Sequence, residues 1–183
     1  KNFAQAMAGT DLILYKMKAK LDEIKNDYYI IVQSDNGGYP CGVYLQGSNL
    51  PYRGSKMTFF EGGVRVPAFI YGSGDSFDAL RGTNYYKLMH HVDWVATLVS
   101  MAGRDPNLDD SYDSIDHWQS IQSSSTPAET LHSTKEDTAR PIVYTLDSLD
   151  GGLYAAVRVG SMKFIKFLTN SSYYWDYQYT DLM

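Results

Sequence analysis

Apolar residues first recur along the chain at Phe3, Met7, Leu14, Met17, Leu21 and Ile24, at steps near three, four and seven. That spacing lines one face of a helix and predicts an amphipathic helix ending near Lys25. Lys16, Lys18, Lys20 and Lys25, interspersed with Asp22 and Glu23, fall mostly on the other faces, as expected of a solvated surface. Asn26-Asp27 then turns the chain into Tyr28-Tyr29-Ile30-Ile31-Val32. This run is too short for a free-standing helix and rich in β-branched and aromatic residues, so it predicts a buried strand. A helix followed by a buried strand is half of a βαβ unit. The expectation is an α/β fold with a mostly parallel sheet.

Residues 64–71, VRVPAFIY, predict the next strand, with Pro67 at an edge or bulge because it cannot donate to a ladder. Residues 72–78 read as a polar loop. Asp93 reads as the N-cap of a helix in which Val95, Leu98, Val99 and Ala102 share a face. Gly103 fits the position just past its end, and Pro106 prevents continuation. Residues 104–140 are rich in Asp, Ser and Thr and predict a surface connection, with a short helix around residues 117–121. Beyond Pro141 come IVYTL, LYAAVRV and MKFIKFL, the last two flanking Gly160-Ser161, a two-residue type II′ hairpin signal. A small antiparallel sheet is expected here. The final SSYYWDYQYTDLM carries too many aromatics for a solvated tail and is expected to pack on another surface.

Candidate chemistry sits where the first strand stops, at Ser34-Asp35-Asn36-Gly37-Gly38. Open α/β sheets bind ligands at the carboxyl ends of their strands. A carboxylate beside an amide carbonyl offers two hard oxygens, the donors calcium or magnesium prefers. The same residues are also good turn chemistry, and on these letters alone both readings stand.

The residues after Gly38 are more specific. Beyond a Gly-rich loop come Gly47-Ser48-Asn49, then Pro51-Tyr52-Arg53-Gly54-Ser55-Lys56, then Phe60-Glu61-Gly62-Gly63-Val64-Arg65. Taken together with the strand end, these stretches resemble the sulfatase family, in its arylsulfatase B-like branch. There a strand ends in S/T-D-N-G-G, a loop leads to L-R-G-x-K, and E-G-G-x-R enters the next strand. Weaker similarity runs on through His90-His91-Val92-Asp93-Trp94 to Lys163.

The resemblance implies an alkaline-phosphatase-like fold. Residues 1–103 would be the C-terminal part of the catalytic α/β domain, 104–140 a surface connection, and 141–183 a small antiparallel C-terminal subdomain. It makes Asp35 and Asn36 two ligands of a calcium or magnesium ion (Ca2+ or Mg2+), and Lys56 the lysine that contacts the sulfate oxygens. Arg53 and Arg65 become structural residues, with Glu61 pairing with one of them. The family nucleophile is a formylglycine made from the cysteine of C-x-P-S-R, and no such motif is present: Cys41 is followed by Gly-Val-Tyr-Leu. Two further acidic ligands, a K-x-H pair and another histidine belong to the family's earlier region, which has no counterpart here.

The expectation is therefore part of a sulfuric ester hydrolase, inactive alone, whose partners are a sulfate-ester substrate and the rest of the sulfatase polypeptide. The alternative is a catalytically inactive sulfatase-like component of an extracellular assembly. A phosphodiesterase or phosphomutase of the wider superfamily shares the metal logic, but R-G-x-K and E-G-G-x-R favour sulfatase. His90 and His91 point apart, match no family catalytic histidine clearly, and read as packing or loop residues.

Composition adds limits. With 16 basic and 21 acidic residues the net charge is −5, which argues against a nucleic-acid partner. No run approaches the roughly 18 apolar residues of a membrane span. The single cysteine, Cys41, excludes an internal disulfide and reads as a free thiol. Asn170-Ser171-Ser172 is an N-glycosylation sequon, in keeping with a secretory route to a lysosomal or extracellular location. Lys1 opens inside the first predicted helix with no initiator Met, so the chain is expected to start partway through a longer protein.

Overall fold

The computed structural model describes residues 2–24, 26–40, 47–107, 113–123, 140–149 and 152–167. Cys41, Asn170 and the aromatic C-terminal run lie outside these. The described residues fall into two units, the first built from those up to Asp75 and the second from Ser76–Leu168.

The first unit opens with α1, Asn2–Asp22. Its last turn is braced by Lys18–Asp22 at 2.7 Å, and Lys20–Glu23 follows at 2.6 Å. Such solvent-exposed helix pairs add little to stability. The apolar stripe is only partly buried, against what the periodicity predicts: Leu14 and Leu21 are half-buried, while Met7, Met17 and Ile24 are each about half exposed. Among the described residues no strand or helix packs broadly against it.

The chain then enters β1, Tyr29–Gln33, which pairs antiparallel with β2, Ala68–Gly72. Ile31 lies opposite Ile70, and Tyr29 opposite Gly72. The described neighbour of β1 is thus an antiparallel strand. The second strand also starts later than the sequence predicts. Glu61–Val64 instead forms a single helical turn, α2, closed by Arg65 N donating to Glu61 O at 2.8 Å. Pro67 stands just before the ladder, where its carbonyl accepts from Ser34 N at 3.1 Å, so its missing N–H costs the sheet nothing.

The second unit begins within a one-turn helix, α3, Asp75–Asp78, inside the stretch expected to be a loop. A 3₁₀ turn at His91–Asp93 leads into α4, Trp94–Met101, and α5 follows at Trp118–Ser123. Then β3 (Pro141–Leu149), β4 (Gly152–Val159) and β5 (Met162–Phe167) form an antiparallel sheet in the order β3-β4-β5. Val143 faces Val157, which faces Phe164, and a bulge interrupts β3 between Val143 and Thr145. Gly160 has φ +55 at the first turn position between β4 and β5, as a type II′ hairpin requires.

The buried apolar core lies in this second unit, at Phe77, Leu80, Ala96, Met101, Trp118, Ile121, Ile142 and Ala156. Phe77 and Trp118 stack with ring centroids 6.4 Å apart. Helix α4 shows a different face from the one its apolar residues predict. Ala96, Thr97 and Met101 are buried, while Val95 and Leu98 are about half exposed. Polar anchors decide this orientation. Ala96 N donates to Ser114 Oγ at 2.9 Å, and Thr97 Oγ1 accepts from His117 N at 3.1 Å.

Asp93 occupies the position before α4, as expected, but its carboxylate does not cap that helix. It accepts from His90 N at 2.7 Å and from Ile115 N at 2.9 Å, and it pairs with Arg140. It closes the 3₁₀ turn together with His90, whose Nδ1 accepts from Val92 N. Among the described residues no helix is long and apolar enough to cross a membrane.

Candidate functional site

The first unit is held together mostly by backbone. Its buried residues include Gly54, Ser55, Thr58, Gly62 and Gly63, so small side chains let three loops touch directly. A Cβ on Gly37 would meet Gly62 O at 1.7 Å, and one on Gly62 would meet Gly54 O at 2.1 Å. Only glycine permits this approach. Hydrogen bonds bind the contacts: Gly37 N to Gly63 O at 2.9 Å, Gly62 N to Arg53 O at 2.7 Å, and Lys56 N to Gly38 O at 2.9 Å. The three stretches singled out in the sequence are therefore one folded object.

At the end of β1, Asp35 is exposed and Asn36 half-buried. Asp35 Oδ1 accepts from Asn36 N at 2.9 Å, which fixes the carboxylate against its own loop. Asn36 Nδ2 donates to Gly37 O at 2.9 Å, so the amide commits its nitrogen to the loop and turns its oxygen away from that carbonyl. Ser34 Oγ donates to Asn36 O at 2.9 Å and tightens the same turn. Two hard oxygens so presented suit a divalent cation such as calcium or magnesium. Calcium takes about six to eight oxygen ligands, and among the described residues no group of three or more His, Cys, Asp or Glu could hold a metal.

Lys56 is exposed on a rigid turn. Thr58 N donates to Ser55 O at 3.0 Å. The Thr58 hydroxyl accepts from Ser55 N at 3.1 Å and donates to Ser55 O at 2.8 Å. Met57, directly after the lysine, has φ +72. That left-handed conformation costs a non-glycine residue roughly 1–2 kcal/mol, strain that the surrounding bonds must hold in place.

Flanking cations brace the loops, as expected of structural residues. The Arg53 guanidinium lies 4.2 Å from the Phe60 ring centroid, and that of Arg65 lies 4.8 Å from Tyr52. Glu61 pairs with Arg65 at 3.9 Å, a contact exposed enough to add little.

Sequence reasoning missed Asn49 as a contributor to this arrangement. Its Oδ1 accepts from Gly38 N at 2.7 Å, and its Nδ2 donates to Gly38 O and Gly54 O, each at 3.0 Å. The available signal was an amide side chain between glycine-bearing loops, where it can stand in for a missing backbone partner.

In the second unit His90 and His91 do not point apart as expected: their rings lie with centroids 4.2 Å apart and planes tilted by 40°, and burial lowers the His90 pKa. A cavity of about 240 Å³ lined by Tyr85, Lys87, His117 and Arg140 contains none of the site residues read from the sequence.

The family model for Sulfatase matches residues 1–104. Arylsulfatase J of Mus musculus is 35% identical over 131 residues, covering 72% of this chain and 20% of that protein. N-acetylgalactosamine-6-sulfatase of Sus scrofa is 33% identical over 95 residues, covering 51% of this chain and 18% of that protein. A sulfatase of Formosa agariphila is 34% identical over 84 residues, 46% of this chain and 14% of that protein. The chain thus spans a fifth or less of the length of these relatives. No solved structure matches it.

Proposed function

Because this chain belongs to the sulfatase family, we propose that the protein is a sulfuric ester hydrolase and that this segment carries part of its active site. The observation that carries the reading is the Lys56 N to Gly38 O bond, which ties the lysine turn to the loop of Asp35 and Asn36. Hydrolysis of a sulfate ester concentrates negative charge on the sulfuryl oxygens, and fixed cations that meet that charge lower the barrier. Asp35 and Asn36 would be two oxygen ligands of a calcium or magnesium ion, which when bound supplies part of this positive charge. Lys56 would supply another part: its ammonium is a compact charge with three donors, suited to the oxygens of a sulfate ester.

The formylglycine nucleophile and the remaining metal ligands would come from other parts of the polypeptide, as would the parallel sheet that flanks β1 in the whole domain. Half-exposed apolar residues on α1 favour the rest of the sulfatase polypeptide as the partner of this segment. A secretory route, lysosomal or extracellular, with glycosylation at Asn170, belongs to the same proposal.

Two measurements on the full-length protein test it. Lys56→Ala should lower turnover of an aryl sulfate by about 10²–10³-fold, the loss seen when one oxyanion donor is removed. Asp35→Ala and Asn36→Ala should each weaken calcium binding in calorimetric titration. Wild-type kinetics for the lysine variant, or unchanged metal affinity for both others, would overturn the assignment.

A further inference from the structure

We infer that Asn49 is the positioning residue for Lys56, an inference that rests on the sulfatase reading above. A primary amide has one acceptor oxygen and two N–H donors, and here they engage two separate loops. Asn49 brackets Gly38 by accepting from its N–H at 2.7 Å and donating to its carbonyl at 3.0 Å. The same nitrogen donates to Gly54 O at 3.0 Å, on the turn that leads into Lys56.

Gly38 O therefore carries two loads, Asn49 Nδ2 and Lys56 N at 2.9 Å. One side chain thus spans from the loop of Asp35 and Asn36 to the turn of Lys56. The other bonds between these loops, from Gly37 to Gly63 and from Gly62 to Arg53, run through the α2 turn. Asn49 joins Gly38 to Gly54 directly, without passing through that turn. Without it the Lys56 amide keeps its bond to Gly38, but Gly38 loses its clamp. The lysine then sits on a turn free to shift relative to the ligand loop. Exposure of the Lys56 side chain makes this backbone clamp the principal control on where its ammonium stands.

The test is a double-mutant cycle in the full-length protein, with aryl sulfate turnover and amide hydrogen exchange as readouts. Asn49→Ala should lower kcat/KM by roughly 10–100-fold, as for the partners that orient a site's direct ligands. Asn49→Asp, which keeps the acceptor and loses both donors, should fall on the same side of wild type. In the Lys56→Ala background the Asn49→Ala loss should shrink to about threefold or less, because the two residues act through one interaction. Exchange at the Lys56 amide should quicken in both Asn49 variants while thermal unfolding stays cooperative.

An equal loss in both backgrounds would make Asn49 a structural residue and overturn the inference, as would turnover and exchange unchanged from wild type. If Asn49→Ala does not fold, Asn49→Asp carries the same cycle. A normal Lys56→Ala enzyme would sink the sulfatase role of the lysine, and the positioning role with it, even if exchange showed the clamp intact. A wild-type protein without turnover would sink both together.

Discussion

Asp93 Oδ2 and His117 Nε2 face each other at 3.3 Å inside the second unit, with both side chains almost wholly buried. The contact is close but not aligned as a hydrogen bond, while His117 Nδ1 is 2.7 Å from Tyr85 Oη. The carboxylate is the electrostatic hub of this unit, joining the turn before α4, the segment before α5 and Arg140 at the start of β3.

Burial pushes the Asp93 carboxyl up, but the His117 imidazole, the amides of Ile115 and His90, and Arg140 outweigh it and hold its pKa at about 2. An unfolded Asp titrates near ~3.9, so the unfolded chain binds the proton more readily. The stabilisation is then present above about pH 4 and lost as pH falls toward 2, and it amounts to about 2–3 kcal/mol. Asp93→Asn should lower the Tm near neutral pH and flatten the acid limb of the Tm–pH curve. Melts of both full-length proteins across that range decide it: parallel acid limbs would show that another group titrates.

Thr97 is fully buried on α4, and its hydroxyl accepts from His117 N. Thr97→Val keeps the shape but leaves that amide without its partner, at a cost of about 1–3 kcal/mol. Thr97→Ser retains the hydroxyl and should cost less. Denaturation midpoints in urea would check the order, and a valine variant as stable as wild type would refute it.

Helix α4 also marks how far the sequence could be read. Its position, its termination at Gly103 and the antiparallel sheet after Pro141 follow from local signals, because caps, turns and strand alternation act within a few residues. Gly103 N donates to Ser100 O at 2.9 Å, as its place past the helix end implies. The buried face of α4 was not legible, since it depends on Ser114 and His117 arriving from elsewhere. Asp93 looked like a local cap for the same reason: its distant partners leave no trace in the letters around it. The strand expected from Val64 starts at Ala68 because the glycines after Glu61 serve the contact with Gly37 and Gly54. At the candidate site the motif residues Asp35, Asn36 and Lys56 were legible through resemblance, whereas the amide that joins their loops was not.

Backbone contact between the loops predicts a contrast between two glycines. Gly37→Ala places a Cβ against Gly62 O and should displace the Asp35–Asn36 loop, costing several kcal/mol of stability and, on the metal-site proposal above, most of the calcium affinity. Gly9→Ala, on α1 with nothing within 4 Å of the added carbon, should be neutral or stabilising by roughly 0.5–1 kcal/mol. Melting temperatures and calcium titrations of the two variants test this. A Gly37→Ala protein that binds calcium normally would contradict the packing.

Residues 1–183 expressed alone should associate and should not turn over an aryl sulfate. The first unit contributes nothing to the described apolar core, and α1 presents Met7, Leu12, Ile13 and Met17 with about half of each exposed. Apolar area of that kind drives association when nothing covers it. Light scattering on the purified chain and a sulfatase assay are the measurements. A monodisperse, cooperatively melting monomer would show that the segment is self-sufficient, and measurable turnover would overturn the proposed division of the site.

Glycine-to-glycine contact also separates two things a lineage can vary. Apart from the Asn49 amide, the spacing between the Asp35–Asn36 turn and the Lys56 turn is set by peptide groups, which every residue type shares. Side chains on the outer surface of these loops, such as Ser48 and Leu50, are exposed and take no part in that spacing through their bulk. Point changes among them can alter what the loops display without altering where the loops stand. Insertions enjoy no such freedom, because one added residue between Gly54 and Lys56 would put the Lys56 N–Gly38 O bond out of register with the Asn49–Gly54 bond. Drift in this segment is therefore expected to run through substitutions at fixed length.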